Sequence, residues 1–95
     1  MKRLDGLYEC ASCGLPVFDA AQEFSSSNDW PNFWQPIRPD HIKLSKDRSS
    51  NPTRTSVECA RCEAHLGHVY NDGPLPTGLR YRLNPVALQF VVAKL

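Results

Sequence analysis

Two sets of residues in this chain have types and spacing that could do chemistry. The four cysteines form two Cys-x-x-Cys pairs, Cys10/Cys13 and Cys59/Cys62, with none left over, and His65-Leu66-Gly67-His68 follows the second pair directly. Two such pairs, each on its own turn, can converge into the tetrahedral four-thiolate site that Zn²⁺ prefers in structural roles. Disulfides within the pairs would need an oxidising compartment. A redox dithiol usually comes as one pair opening a helix in a βαβ unit, and neither pair has that context. Structural Zn²⁺ on Cys10, Cys13, Cys59 and Cys62 is therefore the expected cofactor. Such a site contributes on the order of 10 kcal/mol of apparent binding energy to a fold. Any thiol chemistry would then have to draw on the metal's own ligands.

Two imidazoles three residues apart can face one cleft if the backbone bends at Gly67, and either could donate a proton near neutral pH. The plainer alternative packs one against the knuckle and leaves the other exposed. Trp30, in a Pro-containing loop with Phe33 and Trp34, could wall off a small apolar group or simply fill core. Arg80, Arg82 and Asn84 alternate on one face of a strand, with Tyr81 and Leu83 on the other. A polar face on an edge strand is usually solvated, and here it could line the same cleft.

The elements that must position these residues read as strands and turns. Leu7 to Glu9 leads into the first cysteine knuckle and Gly14 to Phe18 leaves it, with room for one helical turn between Asp19 and Phe24. Residues 25–39 read as loop. Ile42 to Leu44 is a short strand, and Lys46 to Thr53 is polar, with Asn51-Pro52 as a turn signal. Thr55 to Glu58 alternates into the second knuckle and Leu66 to Tyr70 leaves it. Asn71-Asp72-Gly73-Pro74 and Thr77-Gly78 are turns. Leu79 to Asn84 is a period-2 strand, and Leu88 to Val92 is a β-branched and aromatic run. Eight prolines work against long helices. The expected fold is all-β and mostly antiparallel, with a zinc clasp joining its two halves.

Composition narrows the classes. At 95 residues, 41% hydrophobic and 22% charged, one globular domain over residues 1–95 is expected. A net charge of +1 gives no long-range pull toward nucleic acid or an anionic membrane. No apolar run approaches a membrane span and the first residues lack a signal-peptide core, so a cytoplasmic location is expected.

Taken in order, Cys10-Ala-Ser-Cys13-Gly14, the Phe24-to-Phe33 stretch with Trp30-Pro31, and Cys59-Ala-Arg-Cys62-Glu-Ala-His65-Leu-Gly-His68-Val resemble the methionine-R-sulfoxide reductase B family. The run Asn71 to Tyr81 and Leu88-Gln89-Phe90 extend the resemblance over nearly the whole chain. It implies two antiparallel sheets, with the four-cysteine zinc remote from the active site. It also implies reduction of the R epimer of methionine sulfoxide in peptides. In that reaction a Cys thiolate attacks the sulfoxide sulfur, histidines protonate the departing oxygen, and an indole packs on the substrate methyl. By motif, Trp30 would be the methyl wall, His65 and His68 would handle the oxygen, and Arg80 and Asn84 would order the site.

The same resemblance puts the nucleophilic Cys at position 82, where this chain has Arg82 in Arg80-Tyr81-Arg82-Leu83-Asn84. A guanidinium has an effective pKa above about 12 and no lone pair with which to attack sulfur. Other departures are Ser25 for the usual Asp, Asp29 for the usual Gly and Asn32 for the usual Ser. Asn28 falls where some members keep a recycling Cys. The expectation is a family member with impaired or absent catalysis. The alternative is a non-catalytic module that binds a small polar ligand or peptide between Trp30, His65, His68 and Arg82. The expected partner is peptide methionine-R-sulfoxide or a related ligand, with thioredoxin involved only if the chain turns over. No nucleic-acid or membrane partner is expected, and the chain is expected to be a monomer.

Overall fold

The computed structural model describes residues 6–24, 30–48 and 53–92. Among these residues nine strands follow in chain order: β1 (Gly6–Cys10), β2 (Pro16–Asp19), β3 (Glu23–Phe24), β4 (Asn32–Phe33), β5 (Ile42–Asp47), β6 (Arg54–Cys59), β7 (His65–Tyr70), β8 (Arg80–Leu83) and β9 (Leu88–Val92). They form two antiparallel sheets, β2-β1-β9 and β3-β4-β8-β7-β6-β5. The all-β expectation holds. Among the described residues helical structure is confined to three single 3₁₀ turns, Ala20–Gln22, Pro39–His41 and Pro85–Ala87. Among the described residues no helix is long and apolar enough to cross a membrane.

The sheets pack through the apolar half of each alternating strand. Val17 and Phe18 of β2 meet Phe33 of β4, Val57 of β6, Leu66 of β7, and Tyr81 and Leu83 of β8, all buried. Phe18 stacks on Phe33 with ring centroids 4.6 Å apart, and Tyr8 meets Phe33 edge-on at 5.1 Å. Fully burying one such aromatic side chain contributes about 1.5–3 kcal/mol, so this aromatic group anchors the layer.

Three expectations need correcting. Residues 25–39 are not loop throughout. Asn32 and Phe33 form β4, pairing with Glu23–Phe24 on one side and Tyr81–Arg82 on the other. A two-residue strand has no periodicity to read, and long-range pairing creates it. In consequence β8 is not an edge strand, since it lies between β4 and β7. Its polar face is therefore flanked by other side chains. The strand beginning at Ile42 also runs on to Asp47 through polar residues, because β6 pairs with it along its whole length. The predicted turn at Asn51-Pro52, and Ser25, Asn28 and Asp29, lie outside the described residues.

The cysteine knuckles match one another. In the first, the Gly14 N–H donates to the Cys10 carbonyl (2.7 Å) and the Cys10 N–H to the Leu15 carbonyl (2.8 Å). In the second, the Glu63 N–H donates to Cys59 (2.8 Å) and the Cys59 N–H to Ala64 (2.9 Å). The residue after each second cysteine is left-handed, Gly14 at φ 81° and Glu63 at φ 64°. The first turn joins two strands of the smaller sheet and the second joins β6 to β7 of the larger.

Candidate functional site

The cysteines converge where those two turns meet. Their sulfurs all lie within 4.8 Å of one another, with Cys10 Sγ 3.6 Å from Cys62 Sγ and Cys13 Sγ 3.5 Å from Cys59 Sγ. Zinc–sulfur bonds of about 2.3 Å in a tetrahedron put neighbouring sulfurs about 3.8 Å apart, so the cluster fits the ion. The donor set is that of a structural zinc site. Cys10 and Cys59 are buried and Cys62 is exposed. The Leu15 backbone, followed by the Arg61 guanidinium, draws the Cys13 thiol down to about 6, toward the thiolate that metal binding requires. Arg61 also donates to the Cys13 carbonyl at 2.7 Å. The clasp expected between the two halves of the chain therefore joins the two sheets.

The second site lies on the polar face of the larger sheet. Antiparallel register aligns Ser45, Ser56, His68, Arg82 and Asn32 in one row across β5, β6, β7, β8 and β4. His65 joins this face through a bulge: Glu58 opposes His65 and Val57 opposes Gly67, so Leu66 is the extra residue on β7. In a regular strand residues three apart point to opposite faces, and the bulge cancels that difference. The imidazole centroids are 5.0 Å apart. Gly67 has another role: a Cβ there would lie 2.1 Å from the Arg82 carbonyl oxygen, so glycine permits the close approach of β8.

A cleft of about 140 Å³ opens on this face, lined by Trp30, Arg54, His65, Gly67, His68, Tyr70, Arg82 and Asn84. Hydrogen bonds orient its imidazoles from behind. His65 Nδ1 lies 2.9 Å from the Ser56 hydroxyl, and Ser45 donates to Glu58 at 3.0 Å beside it. His68 Nε2 lies 3.0 Å from Asp47 Oδ2. The Arg82 guanidinium carbon sits 4.6 Å from the Trp30 ring centroid. Such stacking contributes about 0.5–2 kcal/mol. Arg82 Nε, however, is buried with no acceptor. An unmet buried donor costs about 1–3 kcal/mol, more for a charged group.

Most of the expected residues come together here, namely Trp30, His65, His68, Arg82 and Asn84. Trp30 is half-buried as a wall of the cleft. Asn84 has a second task, accepting the Val86 N–H at 3.0 Å to start a 3₁₀ turn. Arg80 does not line the cleft. Its guanidinium donates to both Asp72 oxygens (2.8 and 3.1 Å) and to buried Asn32 (3.3 Å), and holds the Asp72 carboxyl below its usual range. Asn32 in turn donates to the Trp30 carbonyl at 3.1 Å, so Arg80 acts on the cleft through the tryptophan loop. Sequence reasoning missed Arg54, Tyr70, Asp47 and Ser56. Ser56 was detectable as a polar residue in the alternating run Thr55 to Glu58. The others reach the site only through register.

A two-sheet fold clasped by four thiolates, with an indole-and-imidazole cleft on one sheet, defines a recognisable class, and residues 1–92 match the SelR domain. The chain belongs to that family. It is 51% identical over 87 residues to the "Peptide methionine sulfoxide reductase MsrB" of Pseudomonas putida, covering 92% of this chain and 66% of that protein. The protein of the same name from Thioalkalivibrio sulfidiphilus is 47% identical over 88 residues, covering 93% of this chain and 64% of its own length. The chain thus spans just under two thirds of these relatives. The fold alone is shared with the crystal structure of the Mis18 "Yippee-like" domain, at a TM-score of 0.74 and 19% identity, covering 96% of this chain and 99% of that one.

Proposed function

We propose that this chain is a peptide-methionine (R)-S-oxide reductase family member whose cleft receives a methionine-R-sulfoxide-like group but does not reduce it. The observation that carries this reading is the placement of the thiols. All four cysteines of the sequence stand in the metal cluster, and none lines the cleft. The family reaction needs a thiolate that attacks the sulfoxide sulfur, takes its oxygen as sulfenic acid and releases methionine. By resemblance that thiolate belongs at position 82. Arg82 cannot supply it, and thiolates closed around a structural ion are poor nucleophiles. Hydroxyls do not perform this two-electron step.

The remaining parts suit binding. Trp30 offers an apolar face for a methyl group, His65 and His68 offer ring nitrogens, and the Arg82 guanidinium offers hydrogen-bond donors to oxygen. Thioredoxin has no role in this reading, because no sulfenic acid forms. The test is a stereospecific assay of the zinc-loaded chain on peptide methionine-R-sulfoxide with dithiothreitol, alongside a direct binding measurement. Binding without turnover is the expected result. Stereospecific turnover by a zinc-loaded sample would overturn the reading.

A further inference from the structure

The cleft carries more positive charge than a sulfoxide calls for. Arg54 and Arg82 both line it, and neither has a carboxylate partner among the described residues. Arg38, Lys43 and Arg80 each hold one, Asp40, Glu63 and Asp72 respectively. Among the described residues no Asp or Glu lines the cleft, and the two acids behind it are engaged, Asp47 by His68 and Glu58 by Ser45. Trp30 covers one face of the Arg82 guanidinium, and the Arg82 Nε is out of water and unmatched, so a ligand meets that donor only by displacing the side chains over it.

The Nε–H and the adjacent Nη–H of an arginine point the same way and are spaced for two oxygens of one anion. A sulfoxide has one oxygen and no net charge, so it would meet one of these donors and leave both cations uncompensated. We propose that the cleft is a site for a small oxyanion group, of the carboxylate, sulfinate or sulfonate kind, on a short apolar stem lying against Trp30. The inference rests on the non-catalytic binding reading above and narrows it from a neutral oxygen to an anion. An oxidised side chain within a peptide, a peptide C-terminus and a free small acid share this chemistry.

The experiment is a titration of the ¹⁵N-labelled, zinc-loaded chain followed by NMR at fixed ionic strength. The probes are methanesulfonate, acetate, an amidated peptide with an internal cysteic acid, dimethyl sulfoxide and a methionine-R-sulfoxide peptide. The anions are expected to shift the Arg82 Nε–H and Trp30 indole N–H signals together and saturably, at least about tenfold more tightly than dimethyl sulfoxide. Tighter binding of the cysteic-acid peptide than of the free acids would identify an oxidised side chain as the source. The reverse order would identify a free acid. Arg82→Gln should abolish the preference for anions, and Arg82→Lys, which keeps the charge but not the fork, should restore only part of it. Arg54→Gln should weaken anions severalfold without altering β8, and decides the question if Arg82→Gln loses its dispersed spectrum.

The inference fails if the neutral probes bind as tightly as the anions, if anion-induced shifts spare Arg82 and Trp30, or if both glutamine variants bind anions like the parent. Preference for the sulfoxide peptide without turnover overturns the anion site and leaves the binding reading standing. Reduction of that peptide alongside anion preference overturns the non-catalytic reading and leaves the anion site standing. Silence from every probe overturns both.

Discussion

Asp47 and His68 meet across an intervening strand. Asp47 ends β5, His68 lies in β7, and the carboxylate oxygen reaches over β6 to within 3.0 Å of the imidazole Nε2. Both side chains are largely covered, at 26% and 17% exposure, so the pair is shielded more than a surface ion pair. It fixes one nitrogen of the ring and thereby decides which nitrogen faces the cleft. Asp47→Ala should lower stability by about 1–3 kcal/mol, since it leaves a half-buried imidazole without its acceptor. Urea unfolding measures that loss. The ¹⁵N signals of the His68 ring should change in the same variant, a response that a loss confined to packing would not produce.

The metal cluster makes a second prediction. The two knuckles belong to different sheets, and binding of structural zinc contributes on the order of 10 kcal/mol. That exceeds what a chain of this size can spare. Chelation, or Cys59→Ser at the buried ligand, should therefore abolish cooperative unfolding in circular dichroism. Readdition of Zn²⁺ should restore it to the chelated parent.

Position 82 tests the missing nucleophile directly. It pairs with His68 on one side and Asn32 on the other, so a thiol there would lie beside an imidazole and near Trp30. Arg82→Cys should turn on reduction of peptide methionine-R-sulfoxide with dithiothreitol, against a parent below detection, and should spare the S epimer. If this variant is folded and zinc-loaded yet inactive, the tryptophan loop has diverged as well.

The knuckles differ at one position in a way that should show in stability. Gly14 and Glu63 share the left-handed conformation, which costs a residue with a Cβ roughly 1–2 kcal/mol. The ion pair of Glu63 with Lys43, 3.7 Å apart and exposed, offsets little of that. Glu63→Gly should therefore stabilise the zinc-loaded chain by about 1 kcal/mol, after allowance for the entropy of glycine in the unfolded state. Its thermal midpoint should rise correspondingly.

What was legible in the sequence followed from short-range pattern. The Cys-x-x-Cys turns, the strands entering and leaving them, and the two faces of Leu79 to Asn84 are all encoded within a few residues, and all took their expected form. β4 was not legible, because Asn32 and Phe33 lie between Pro31 and Trp34 and become a strand only when β3 and β8 supply partners. The same holds for the polar end of β5, where Ser45-Lys46-Asp47 offers no apolar alternation. The cleft was legible only in part for this reason. His65, His68 and Arg82 announce themselves by type, whereas Arg54 and Asp47 arrive by cross-strand register. Arg80 was expected to order the site, and its distant partners, Asp72 and Asn32, hold it behind the cleft rather than in it.

The extra residue at Leu66 ties the length of the chain at this point to which groups face solvent. With Glu63 or Ala64 removed, the strand would pair without interruption. The side chain two places before Gly67 would then trade places with its neighbour. An imidazole would be driven into the space that Leu66 fills, and the cleft would lose a wall although no cleft residue had been replaced. Substitutions here change chemistry by degrees, but a single insertion or deletion reverses inside and outside.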